Sequence, residues 1–204
     1  MYRILTQKTL DLDWFVYLLD APIHIASNGG YIPGNFYKIS ELEETYDRIM
    51  SRSGDNDVEI NGSYIESLDG YGYLDNQDFT SILKEHSLPE IGKVALYSES
   101  FVSMAQRGFY SFDRTDTYSP MGYEQYRLIA WPKNSNSVIP SWCKDKDIPL
   151  VRMIQLFMRE KCGQKENDGI LRLNCDSKKF FYRFEIEKIN EEFESFENKV
   201  DENR

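Results

Sequence analysis

Leu171-Arg-Leu-Asn-Cys-Asp-Ser-Lys-Lys-Phe-Phe-Tyr-Arg-Phe-Glu-Ile-Glu187 carries the clearest strand signal in the chain. Leu171, Leu173 and Cys175 alternate with Arg172 and Asn174. Phe180, Tyr182, Phe184 and Ile186 then alternate with Phe181, Arg183, Glu185 and Glu187. A period of two sends alternate side chains to opposite faces of a sheet, one buried and one wet. Asp176-Ser-Lys between the two runs has turn chemistry, so an antiparallel hairpin is expected here.

On the C-terminal side, Ile189, Phe193, Phe196 and Val200 recur at helical spacing and form one apolar seam on an acidic helix. On the N-terminal side, Asp147 with Pro149 opens a helix expected to run to Cys162 and to stop at Gly163. Its polar residues Arg152, Gln155 and Arg159 make one narrow stripe, so this helix is expected to be the most buried. Pro132–Lys146 reads as loop, and Phe109–Asp113 and Gln125–Trp131 read as strands, the second with Tyr126, Leu128 and Ala130 on one face.

Nearer the start, Tyr2–Gln7 and Ile23–Ala26 are short strand candidates, and Ser27-Asn-Gly-Gly is a turn. Leu10–Leu19 fits either a helix or a buried strand. Ser40 followed by Glu43 is a capping box, and Leu42, Tyr46, Ile49 and Met50 continue it as an amphipathic helix over Ser40–Arg52. Val58 and Ile60, then Asn61-Gly62, then Tyr64-Ile65 read as a small hairpin, because Asn-Gly supplies the positive φ angles of a tight turn. Further helices are expected over Asp78–His86 and over Ile91–Arg107, the latter ended by Gly108. The expected fold is a single α+β domain over residues 1–204, with an antiparallel, hairpin-built sheet packed by several helices and an acidic helical segment at 185–204.

With 204 residues, 41% hydrophobic and 28% charged, the chain can bury a core and is too apolar to be disordered throughout. The net charge is −10, and half of it, −5, falls within Glu185–Arg204. Phosphate backbones require clustered Lys and Arg, which are missing, so neither nucleic acid nor an anionic membrane surface is an expected partner. Cys143, Cys162 and Cys175 are odd in number and widely spaced, which fits a reducing compartment better than a disulfide framework or a zinc ribbon. The apolar stretch Trp14–Ala26 is interrupted by Asp20 and Pro22 and preceded by Asp11 and Asp13. It matches neither a secretory signal nor a membrane span, and a soluble, cytoplasmic protein is expected.

Motifs for chemistry each break at an identifiable position. Asp57-Val-Glu-Ile-Asn-Gly62 opens like a calcium loop, but its twelfth position is Leu68 where a bidentate Glu is needed. His24-Ile-Ala-Ser27 loosely resembles the His-x-Ser/Thr element of two-histidine phosphoesterases, whose required second element His86-Ser-Leu88 does not supply. Asn28-Gly-Gly30 and Gly70-Tyr-Gly72 lack the Lys or helix start of a phosphate-cradling loop, so no cofactor and no metal is expected. Cys143, beside Trp142 and Lys144, is the one cysteine expected at the surface. The catalytic candidates that remain are His24 as a general base with Asp113 or Asp116, two carboxylates just past a strand, while Asp11 and Asp13 form a second close carboxylate pair.

The stretch Arg107–Tyr126 gathers Phe109, Tyr110, Phe112, Tyr118, Tyr123 and Tyr126 with Arg107 and Arg114. Tyr and Arg dominate protein-recognition hot spots, because they bury rigid amphipathic area at small entropic cost. Arg107, Tyr110, Arg114, Tyr118 and Tyr123 are therefore the candidate binding residues, although core packing of the flanking strands explains several of these rings equally well. The sequence thus favours a non-enzymatic module that binds another protein, as an inhibitor or immunity-type protein does. A small enzyme acting on a nucleotide or sugar is the alternative.

Overall fold

Asp-Trp-Phe-Val-Tyr-Leu shows no alternation because both of its faces are covered. In the computed structural model it is strand β1 (Asp13–Leu18), and Trp14, Phe15 and Val16 are all without exposed surface. A strand packed on both sides reads as a continuous apolar run, which is why its sequence could not separate strand from helix. The structure describes residues 12–18, 21–28, 39–70, 91–115, 124–137, 139–152, 154, 163–166 and 170–173. The expected strands at 2–7 and 180–187, the helix at 78–86 and the acidic C-terminal helix lie outside them.

β1 pairs antiparallel with β2 (Ala21–Ala26), with Leu18 opposite Ala21 and Asp13 opposite Ala26. Leu12 N–H donates to Ser27 Oγ at the open end of this hairpin (3.2 Å), and Asn28 follows with φ 43°. Helix α1 (Ile39–Met50) keeps the expected amphipathic face, with Leu42, Thr45 and Ile49 buried. The short strand β3 (Val58–Ile60) follows, and here the expected Asn-Gly hairpin is replaced by a helix, α2 (Gly62–Gly70).

Asn61 explains that replacement. Its backbone N–H extends the ladder to Ile129 O (2.8 Å), and its carbonyl accepts the first helical bond, from Ile65 N–H (3.1 Å). Its side-chain Nδ2 donates to Leu128 O (2.9 Å) and Lys144 O (2.7 Å) from a position only 6% exposed. A residue so engaged switches strand to helix, whereas a hairpin would have needed Asn61 in the left-handed region.

Helix α3 (Ile91–Gln106) ends as the sequence indicates. Gly108 adopts φ +94°, and the N–H groups of Gly108 and Phe109 return to Ala105 O (2.9 Å) and Met104 O (3.1 Å). The chain enters β4 (Tyr110–Arg114), then β5 (Tyr126–Pro132). Within the expected loop Pro132–Lys146 there is a short helix, α4 (Ile139–Cys143). Residues 150–152 and 154 are helical, but the expected helix start at 147–149 is not, because Ile148 bridges to Tyr126 instead; 153 and 155–162 lie outside the described residues. Gly163, expected to end that helix, begins β6 (Gly163–Lys165), which pairs with β7 (Leu171–Leu173).

The described strands form one sheet in the order β3-β5-β4-β2-β1-β7-β6. The fold is α+β, and the expected all-antiparallel sheet is corrected to a mixed one. β1 pairs parallel with β7, and β2 pairs parallel with β4. The remaining pairs, β1 with β2, β3 with β5, β4 with β5 and β6 with β7, are antiparallel. On one face, Trp14, Val16, Ile23, Ile25, Phe112, Tyr126, Leu128, Leu171 and Leu173 pack with Ile139, Cys143, Val151 and Ile154. On the other, Phe15 packs with Ile49, Met104 and Phe109, and Ile129 and Ala130 with Ile65, Phe101 and Ala105.

A β-bulge corrects the expected face of β5. The register shifts so that Ser111 opposes Ala130 while Phe112 opposes Leu128, which leaves Ile129 as the extra residue. Leu128 therefore stays with the first core, and both Ile129 and Ala130 go to the second.

Candidate functional site

Strand register brings the chemistry together. His24 on β2 stands opposite Phe15 on β1 and opposite Ser111 on β4. Two pairs along, Ala26 is flanked by Asp13 on one side and Asp113 on the other. All six lie at even steps along their strands, on the face covered by α1 and α3.

His24 is 1% exposed and Ser111 fully buried. His24 Nδ1 lies 2.6 Å from Ser111 Oγ, and His24 Nε2 lies 3.2 Å from Asp13 Oδ2. The second approach is oblique, too bent for a straight hydrogen bond, so it acts through charge more than through directionality. The tautomer that satisfies both contacts carries its proton on Nε2, facing the carboxylate, and accepts the Ser111 O–H at Nδ1. The rings of Phe15 (5.5 Å between centroids) and Phe101 (6.3 Å) wall the imidazole. Asp13 reaches outward from this string, and its carboxylate, after burial, helps push the pKa of Tyr46 up.

Asp113 is engaged elsewhere. Its Oδ2 accepts the Tyr97 hydroxyl at 2.5 Å and its Oδ1 accepts the Arg114 N–H at 2.8 Å. The carboxylate that approaches His24 is Asp13, where the sequence pointed to Asp113 and Asp116; Asp116 lies outside the described residues. The sequence reading also missed Ser111, since only the parallel β2–β4 register places it beside His24. Asp13 had one visible signal, a carboxylate opening an apolar run.

Asp13, His24 and Ser111 are the residue types of a hydrolytic triad, but a nucleophile must touch its substrate. Ser111 has no surface at which to do so, and its hydroxyl is committed to His24. In this packing the string cross-links three neighbouring strands from inside.

The expected surface thiol is also corrected. Cys143 is 2% exposed, and burial pushes its pKa well above the usual thiol range, with Lys146 opposing weakly. A thiol so placed stays protonated and inert. Among the described residues, no group of three or more His, Cys, Asp and Glu side chains is arranged to hold a metal ion.

The binding candidates divide in the same way. Arg107 Nη1 donates to Ser103 O (2.8 Å) and Ser103 Oγ (2.9 Å), and its Nη2 donates to Met50 O (3.1 Å). It thereby ties the end of α1 to α3. Tyr110 is buried with its hydroxyl on Ser135 Oγ, and Arg114 is buried and reaches Asn28 O at 3.3 Å. Phe109, Phe112 and Tyr126 are core residues. Tyr118 and Tyr123 lie outside the described residues, in a connection whose ends are pinned by Thr115 N–H to Gln125 O (3.0 Å). Compared with known proteins, the chain matches no family model, no curated protein and no solved structure.

Proposed function

We propose that the chain is a non-enzymatic cytoplasmic protein that binds another protein, of the inhibitor or immunity type, and that it does so through the β4–β5 connection. The observation that supports this most is the sealed state of the His24–Ser111 pair, whose histidine is 1% exposed. The residues best suited to chemistry serve the interior, which leaves recognition as the work of the surface. Arg114 then supports the connection where it leaves β4, Arg107 and Tyr110 brace the elements behind it, and Tyr118 and Tyr123 are its contact residues. Among the described residues no helix is long and apolar enough to cross a membrane, which fits the proposed location. The enzyme reading, in which His24 with Asp113 or Asp116 acts on a nucleotide or sugar, needs His24 to meet a substrate, and the packing around it opposes that.

The test uses the full chain as bait in a native lysate, beside a Tyr118→Ala, Tyr123→Ala double variant. A partner retained by the first and lost by the second supports the reading. Equal recovery by both baits removes the connection from the contact surface.

A further inference from the structure

A second candidate lies at the opposite end of the sheet, where β2 and β4 begin and β5 ends. Ala21, Pro22, Gly108, Tyr110 and Pro132 meet the turns Asn56-Asp57 and Asn134–Ser137 around a cleft of about 460 Å³. That volume falls in the roughly 300–1,000 Å³ range of small-molecule sites.

The chemistry of its lining is specific. The turns contribute three carboxamides (Asn56, Asn134 and Asn136), two hydroxyls (Ser135 and Ser137) and one carboxylate (Asp57). Carboxamides and hydroxyls both donate and accept, so they match a ligand whose groups also do both. Asp57 is the single charged residue among the described lining, which disfavours phosphates and carboxylates. It is exposed, so its attraction for a cation is largely screened by water. Ala21, Pro22 and Pro132 add apolar surface against which a ring can lie by its C–H face.

The walls are also braced before any ligand arrives. Asn56 donates to Gln106 O from both its backbone N–H (3.1 Å) and its Nδ2 (2.8 Å). Lys133 N–H holds Asp57 O (2.9 Å), Tyr110 holds Ser135, and Ser137 Oγ accepts Ile139 N–H (3.2 Å). Gly54 lets this turn lie against α3, since a Cβ there would stand 2.9 Å from Gln106 Cβ. Walls fixed in advance lower the ordering cost of binding.

We propose that this cleft binds an uncharged polyhydroxylated small molecule of monosaccharide size. The test is a titration of the isotope-labelled full chain, followed by amide NMR, with neutral hexoses and pentoses beside glucose 6-phosphate and glucosamine. At least one neutral sugar should give saturable shifts at the side-chain amides of Asn56, Asn134 and Asn136, and bind more tightly than either charged sugar. Asn136→Trp, which fills the cleft from an exposed position, should weaken that binding about tenfold. If its remaining spectrum departs from the parent's, Asn134→Ala is read instead, with a loss of several-fold expected. No saturable shift from any neutral sugar, tighter binding of a charged one, or binding unaffected by the variant overturns the proposal.

Discussion

At His24 the competing demands of chemistry and packing are settled by what surrounds the ring. Two phenylalanines remove water, Ser111 takes one nitrogen and the Asp13 carboxylate faces the other. Buried polar groups are expensive to orphan and much cheaper to remove in pairs. His24→Phe should therefore destabilise the fold by about 1–3 kcal/mol, since it leaves Ser111 without its partner. Adding Ser111→Ala should return part of that loss, a positive coupling of about 0.5–2 kcal/mol in a urea-denaturation cycle. Strict additivity would mean that the pair is not a brace. A second residue-scale prediction concerns Cys143. Its folded pKa is raised, so its contribution to stability is complete below the ordinary thiol value of about 8.5 and is lost as pH rises above it, by up to about 1.4 kcal/mol per pH unit. Tyr46, also raised, acts in the same direction nearer pH 10. Stability measured from pH 8 to 10 should fall less steeply in Cys143→Ala than in the parent; equal slopes would show that this thiol is not responsible.

The elements are held by a few positions where backbone geometry is fixed. Gly108 ends α3 at φ +94°, and a Cβ there would meet nothing closer than Asn56 Nδ2 at 3.9 Å. The cost of Gly108→Ala is therefore conformational and not steric, about 1–2 kcal/mol, and should appear as a lowered Tm with unchanged secondary structure by circular dichroism. No loss would place that residue outside the left-handed region. This helix end was legible in the sequence because glycine after an apolar helix is a local signal. The α1 seam and the alternation of Leu171, Arg172 and Leu173 were legible for the same reason. The Asn61 switch and the Ile129 bulge were not, because both depend on partners far along the chain: Leu128 and Lys144 for the first, Ser111 and Phe112 for the second. The parallel pairings of β1 with β7 and β2 with β4 were hidden likewise. A local pattern shows which face of a strand is buried but says nothing of which strand lies beside it.

Across the molecule, the sheet separates three roles in space. Its middle strands carry the Asp13–His24–Ser111 string, with His24 and Ser111 buried. One end carries the strand ends that flank the connection proposed to bind a partner, and the other carries the cleft proposed to bind a sugar. His24 was legible as a residue of interest from its type, but its partners and its burial came only from strand order. The central proposal is that the β4–β5 connection binds the partner while the histidine string holds the fold. The most direct measurement is the affinity of a captured partner for three proteins compared side by side: the parent chain, the Tyr118→Ala, Tyr123→Ala variant, and His24→Phe, Ser111→Ala at a temperature where it is fully folded. At least a tenfold loss is expected in the tyrosine variant, about 1.4 kcal/mol or more, and affinity close to the parent's in the histidine variant. Parental affinity in the tyrosine variant, with loss in the folded histidine variant, would contradict it.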